Sequence, residues 1–424
     1  MQSASSMGLT IPERKPGARA ALALLLGINI FNYIDRQILS AVEPEIRRTF
    51  FPPNDLNAMA KTGALGMVFL VTYMISAPLL GWLSDRFSRW VVIGTCVILW
   101  SLASGASGLA ATFGILVATR IFIGIGEGGY GPAAPALLSD LYPLKNRGRI
   151  LSIFCLAIPV GSALGYVFGG LVNIHLGWRW AFYLVTPPGL LLGLFCFFQR
   201  DTRVAVSART RRPRPSWNSY QTLFRTRSFV INTFATAAMT FAIGGLGFWT
   251  PAYLQYRGQP KSATIVFGGV IVVAGLISTL LGGWLGDRLQ PKFPGAYFLV
   301  SGAGMVLAFP LFVAMLYTPF PVAWFLMFAS IFLIFLNTGP SNAALANVSH
   351  PSIRASAFAV NILIIHALGD VPAFPTIGYI GGHANMNVAF LVVSGMMLLA
   401  GLLWLAGMKY LGADTAAVEA ATNA

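Results

Sequence analysis

Charge is what this 424-residue chain has least of. Asp, Glu, Lys and Arg make up 10% of it, with 13 acidic residues and four histidines. A soluble domain carries about 25% charged residues, so a chain that mainly faces water is excluded. Cysteine is scarce as well. Cys96, Cys155 and Cys196 sit in apolar stretches without metal-like spacing, which excludes a disulfide framework and a zinc site and leaves packed thiols. The first residues, "MQSASSMGLTIPERKPGAR", lack a short apolar core followed by a small-residue cleavage site, so no removable signal peptide is expected. What is abundant is hydrocarbon: 56% of residues are apolar, with a mean hydropathy of +0.72.

That hydrocarbon is arranged in runs. A bilayer core takes about 20 apolar residues to cross as a helix. Twelve such runs lie at roughly 18–46, 58–83, 90–111, 113–140, 147–172, 179–198, 228–255, 263–286, 295–317, 322–347, 355–381 and 386–408. Open sheet edges and irregular backbone cannot face lipid, so the spans are helices. The expected fold class is an all-α integral membrane protein, twelve transmembrane helices in two pseudo-symmetric bundles of six.

The positive charges fix an orientation. The net charge of +15 would suit nucleic acid if it were clustered on one domain, but it is distributed by topology. With both termini in the cytoplasm, twenty of the 28 Lys and Arg fall in cytoplasmic segments and six on the opposite side. Arg36 and Arg120 remain inside spans. This is the positive-inside asymmetry. It predicts an integral membrane protein with cytoplasmic termini and no nucleic-acid partner.

One long polar interruption, 199–227, is rich in Arg and Pro and reads as a basic cytoplasmic linker attracted to anionic lipid. The expected organisation is a tail over 1–17, a six-helix bundle over 18–198, the linker over 199–227, a second bundle over 228–410 and a tail over 411–424. A repeat supports it: "GWLSDR" at 81–86 returns as "GWLGDR" at 283–288, at the same point of each half. Its Asp–Arg pair suits a helix end and a bond to the neighbouring bundle. Asp85, Arg86, Asp287 and Arg288, with Arg147 in the loop after the fourth span, are therefore expected at a gate.

These residues carry a resemblance. "GWLSDRFSR" resembles the loop signature of the major facilitator superfamily, whose members bind substrate between two six-helix halves. "NYIDRQILS" in the first span, "RIFIGIGEGGYGPAAPALLSDLYP" with "RGR" at the fourth, "GWRWAFYLVTPPG" and "HALGDVPAFP" are similar to the spinster branch. Bacterial organic-anion symporters share part of the first- and fourth-span motifs. The resemblance spans nearly the whole chain except its tails. It implies secondary transport, often of lysolipids or sphingosine phosphate, with proton coupling in bacterial members.

Six ionisable residues lie well inside spans: Asp35 and Arg36, Arg120 and Glu127, His366 and Asp370. A charge at the bilayer centre costs about 2.5–3.5 kcal/mol on insertion scales, so such groups face the bundle interior or a watery cavity. Structural ion pairs locking helices together are the plain alternative. Arg120 and Glu127 are seven residues apart, nearly one stripe of the fourth span and about 10.5 Å along it. That is too far for a snug pair, so each needs a partner elsewhere. Asp35 and Arg36 diverge by about 100° around the first span. His366 and Asp370, four apart, share a face of the eleventh.

Roles follow from chemistry. Arginine keeps its charge and presents a fork matched to phosphate or carboxylate. Arg36 and Arg120 are therefore assigned to an anionic headgroup. A carboxylate between an arginine and a dry cavity is pulled both ways in its protonation, which suits Asp35 and Glu127 to proton coupling. Glu127 also borders the substrate. His366 and Asp370 form a second candidate proton site, with helix packing as the alternative. In the C-half, the seventh and tenth spans lack mid-span charge. Phe241, Phe248, Trp249, Asn232, Asn337 and Thr338 offer an amphipathic wall there, with Phe241, Trp249 and Asn337 as candidate contacts to an apolar tail, although core packing explains a single aromatic as readily.

Gly124-x-Gly126-x-x-Gly129 matches a dinucleotide fingerprint but has no preceding strand, and Pro132 follows. Small residues inside a membrane helix allow close helix approach instead. Gly161, Gly165 and Gly169 read the same way. A polytopic transferase is disfavoured because His175, His350 and His383 lack acidic neighbours at catalytic spacing, and a channel because no ring of equivalent charges recurs. The expectation is a monomeric secondary transporter, not an enzyme, driven by a proton gradient without cofactor or metal. It moves an amphipathic anion through membrane lipid by alternating access, with a small organic anion or drug as the alternative cargo.

Overall fold

A computed structural model describes residues 17–142, 150–151, 153–200, 217–351 and 353–423. The N-terminal bundle comprises α1 (Ala18–Phe50), α2 (Ala58–Arg86), α3 (Arg89–Gly108), α4 (Phe113–Leu141), α5 (Ala157–His175) and α6 (Trp178–Phe197). A short helix, α7 (Trp217–Arg225), precedes the second bundle. That bundle holds α8 (Arg227–Tyr256), α9 (Ala263–Leu289), α10 (Ala296–Tyr317), α11 (Val322–Phe335), α12 (Thr338–Asn347), α13 (Arg354–Ile365), α14 (Val371–His383) and α15 (Met386–Asn423). Eleven helical stretches among the described residues are long and apolar enough to cross a membrane. The remaining span is α4, whose 29 residues are packed between α2 and α3 although Arg120 and Glu127 lower its hydropathy.

Two expected spans are interrupted, each beside a proline. The tenth divides into α11 and α12 at Leu336–Asn337. Pro340 has no N–H for the Leu336 carbonyl four residues back, and Gly282 of α9 brings its Cα against that freed carbonyl. The eleventh divides into α13 and α14 through a π-helical turn, His366–Asp370, just ahead of Pro372. Membrane helices tolerate such breaks where neighbouring protein covers the backbone. The expected C-terminal tail, 411–424, continues α15 as helix to Asn423. Of the expected linker, 201–216 lies outside the described residues, as do residues 1–16 of the N-terminal tail.

The two bundles meet along three seams: α2 against α14, α5 against α9, and α1 against α8. At the face opposite the termini they are closed. Lys261 Nζ lies 2.8 Å from Glu45 Oε1, and Arg48 donates to Gln255 Oε1 at 3.2 Å. Further in, Tyr166 donates its hydroxyl to the Gly247 carbonyl at 2.6 Å. Glycine makes this closure possible. A Cβ on Gly378 would sit 2.5 Å from the Met59 carbonyl oxygen, closer than van der Waals contact allows. In the turn before α2, the Lys61 ammonium bonds the Asp55 carboxylate at 2.8 Å and holds its carboxyl below the usual range.

Candidate functional site

Between the bundles lies a cavity of ≈ 750 Å³, sealed toward the face just described. Its lining is mostly apolar, and its acidic, basic and histidine residues are the six expected from the sequence: Asp35, Arg36, Arg120, Glu127, His366 and Asp370. Helix geometry explains the grouping. Asp35 and Arg36 leave α1 on adjacent faces, while Arg120 and Glu127 stand two turns apart on α4.

The arrangement is two unlike pairs. Arg36 Nε donates to Glu127 Oε2 at 2.6 Å, forming an ion pair between α1 and α4. Three rings surround that guanidinium, with centroids at 5.1 Å (Tyr33), 5.1 Å (Phe69) and 5.2 Å (Tyr73). Glu127 is fully buried, whereas the Arg36 side chain keeps 22% exposure. Thus the carboxylate is the inner partner and the guanidinium meets the cavity. The Asn32 amide of α1 is a further neighbour of the Glu127 carboxylate.

Asp35 and Arg120 form the second group without touching. Ser104 donates to Asp35 Oδ1, and Oδ2 has no partner among the described residues. Arg120 donates to Ser107 Oγ at 2.6 Å and places its guanidinium over the Phe182 ring at 5.2 Å. Its Nε is buried and unpartnered. No carboxylate oxygen lies within 4.0 Å of it among the described residues. A low-dielectric cavity makes each unpaired atom costly, so these groups are set to receive something.

Across the cavity, His366 Nδ1 lies 3.2 Å and 3.1 Å from the two Asp370 oxygens. The π-turn carries both residues, and Gly244 of α8 lets Asp370 approach closely. Surveys of π-turns find them often at functional sites.

Several expected contacts lie elsewhere. Phe241 and Trp249 belong to a hydrophobic core that runs through both bundles, not to the cavity lining, and Trp249 donates to the Phe374 carbonyl at 2.9 Å. Phe248, the neighbour of Trp249, does line the cavity. Asn337 turns its amide onto the Ile334 carbonyl at the helix break, leaving Thr338 at the cavity. Asn232 is a buried tie, accepting from Trp404 Nε1 at 2.9 Å. A helix that is apolar all round carries no signal for which face meets the cavity; hence these corrections.

At the expected gate, Arg86 lies over the Trp82 ring at 3.8 Å and Arg288 over Trp284 at 5.4 Å, so the repeat is also a repeated cation–π contact. Asp287 accepts from Tyr297 within its own bundle at 3.0 Å. Arg147 and the Asp85 side chain lie outside the described residues. Sequence reasoning missed the aromatic cage around Arg36, the serines that hold Asp35 and Arg120, and Glu43. The last shares a face of α1 with Asp35, since Asp35, Leu39 and Glu43 follow at i, i+4 and i+8.

Two helical bundles around a membrane-embedded cavity, closed at one face, define a secondary carrier. The Major Facilitator Superfamily description matches residues 25–373. Human protein spinster homolog 1 is 32% identical over 401 residues, covering 88% of this chain and 75% of the relative. The sphingosine-1-phosphate transporter SPNS2 of Xenopus tropicalis is 30% identical over 436 residues, covering 94% and 84%. Among solved structures, a bacterial homolog to the human lysosomal transporter Spinster, inward-facing and unoccupied, superposes with a TM-score of 0.78 at 21% identity, covering 95% and 98%. The chain belongs to the major facilitator superfamily, and within it to the spinster branch. It is an integral membrane transporter, not an enzyme.

Proposed function

We propose that the chain is a proton-coupled carrier of an amphipathic anion with a phosphate or carboxylate head and a hydrocarbon tail. One observation carries the reading: a caged, partly exposed arginine, paired to a buried glutamate, stands in a cavity whose lining is mostly apolar. While Glu127 is ionised it occupies the Arg36 fork. A proton on Glu127 breaks that pairing and frees the guanidinium for an anionic head. Proton and anion therefore load together. Arg120 and Asp35 extend the polar wall, and His366 with Asp370 is a second place for a proton. The tail lies against Phe248, Phe335, Leu276 and Leu280.

The relatives support this class of cargo, one being named a sphingosine-1-phosphate transporter. We place the face that carries the termini in the cytoplasm of a bacterial inner membrane, because its loops hold most of the Lys and Arg. The structure is then open inward. Residues 18–198 and 228–410 act as two rocking bundles joined by 199–227, in a monomer. Proteoliposome uptake of a lysolipid, a sphingoid phosphate and a short organic acid, with and without an imposed pH gradient, tests the reading. The two amphiphiles should accumulate only with the gradient. Accumulation of the short acid alone would make this a small-anion carrier.

A further inference from the structure

Glu43 stands outside the cavity and outside the mechanism above. It lies on α1, eight residues and about 12 Å beyond Asp35 toward the closed face, and it is 1% exposed. Thr62 of α2 donates to its Oε1 at 2.6 Å, and Arg47 Nε, one turn along α1, lies 3.3 Å from the same oxygen. Oε2 is buried and has no partner among the described residues. One oxygen is thus served from both sides and the other from neither.

The surroundings explain why this matters. The same Thr62 hydroxyl lies 3.1 Å from the Met59 carbonyl oxygen, so its one proton is shared between two acceptors, and Met59 is the residue that Gly378 of α14 abuts. Gly63, next to Thr62, abuts the backbone of Phe374. Glu43 therefore sits directly behind the α2–α14 seam that seals the outer face. Parting the bundles there exposes the first turn of α2 to water, and with it this carboxyl.

We propose that Glu43 is a proton-binding site of the outer seam, which takes up a proton as the seam closes and releases it as the seam opens. An ionised carboxylate with an unpaired oxygen is expensive to bury; a neutral carboxyl is cheaper and turns that oxygen into a hydroxyl. Closure and protonation are then linked, each favouring the other equally. The charged groups facing Glu43 are Arg47 and Arg48, both on α1; from α2 the facing group is the Thr62 hydroxyl. Arg47 is 28% exposed in its side chain, so it keeps water for its own charge when Glu43 is neutral. The inference rests on the alternating-access reading, but its spin-label readout needs neither substrate nor transport.

Spin labels at Asn54→Cys and Tyr317→Cys, both exposed on the outer face, report the gap between bundles in a Cys155→Ser background. In nanodiscs without substrate, the closed-to-open ratio should rise as pH falls, by at most tenfold per pH unit for one proton. Glu43→Gln, fixed in the neutral form, should stay closed and lose this slope. Thr62→Val, which removes the donor favouring the ionised form, should move the midpoint to higher pH and keeps the test available if the first variant misfolds. Asp35→Asn with Glu127→Gln should retain the slope while losing gradient-driven uptake, which separates this site from the cavity. A Glu43→Gln protein with the wild-type slope overturns the proposal. So does a gap that widens as pH falls, since proton uptake would then accompany opening of the seam instead of its closure.

Discussion

At the scale of single residues, the chain spends its few buried charges on partners that can be exchanged. Arg36 holds Glu127 at 2.6 Å but remains partly open to the cavity. Arg36→Lys keeps the charge and loses both the planar fork and its fit among three rings. A hydrogen bond to a charged group is worth about 1.5–3 kcal/mol, so uptake should fall about ten- to hundredfold at unchanged expression. Uptake within twofold of wild type would remove Arg36 from headgroup binding. Glu127→Gln mimics the protonated acid. It should abolish accumulation driven by a pH gradient while counterflow exchange continues; accumulation that persists would pass the obligatory proton to Asp35. The ionisable lining was legible because charge in a span is rare enough to name each residue. Their partners were not, because Ser104, Ser107 and the Tyr33, Phe69 and Tyr73 rings look ordinary until helices are packed.

At the scale of elements, apolar runs revealed the spans, since only a helix satisfies its own backbone in lipid. Breaks were less legible. Pro340 and Pro372 are visible in the sequence, yet whether a proline kinks, splits or is absorbed depends on which neighbour meets the freed carbonyl. Gly282 supplies that answer at Leu336. Phe241, Trp249 and Asn337 were misplaced for a related reason: a uniformly apolar span does not say which stripe is wet. The seams make an element-scale prediction. Gly378→Ala forces a methyl against the Met59 backbone, and overpacking of this kind costs about 1–3 kcal/mol. That should shift the population from the state closed at the face opposite the termini to the state open there about five- to hundredfold. Cys155 lines the cavity and is exposed, while Cys96 and Cys196 are buried. Maleimide labelling of Cys155 at fixed pH should therefore slow in the variant. Unchanged labelling would show that the seam yields without cost.

At the scale of the whole molecule, the closed face is bridged and the opposite one is not, among the described residues. Lys261–Glu45 and Arg48–Gln255 join the bundles beyond the cavity, and Tyr166–Gly247 joins them at its wall. By contrast Arg86 rests on Trp82, Arg288 on Trp284 and Asp287 on Tyr297, each inside its own bundle. Rocking the bundles the other way must break the first set and needs a second set to replace it. The repeated Asp–Arg loops stand where that replacement has to form, at equivalent points of the two halves. Asp287→Asn removes one charge of such a cross-link and leaves an amide still able to accept from Tyr297. The inward-open state should be nearly untouched while the outward-open state loses a charge-assisted bond. Labels at Phe198→Cys and Lys292→Cys, both exposed on the face of the termini, report its gap in a Cys155→Ser background. With one such bond worth about 1.5–3 kcal/mol, the wide-gap population should gain about ten- to hundredfold over the narrow one. Asp85→Asn should act in the same direction from the other half. If neither substitution changes the distances, the two loops are architecture alone, and closure of that face must be held by residues other than the repeated Asp–Arg pairs.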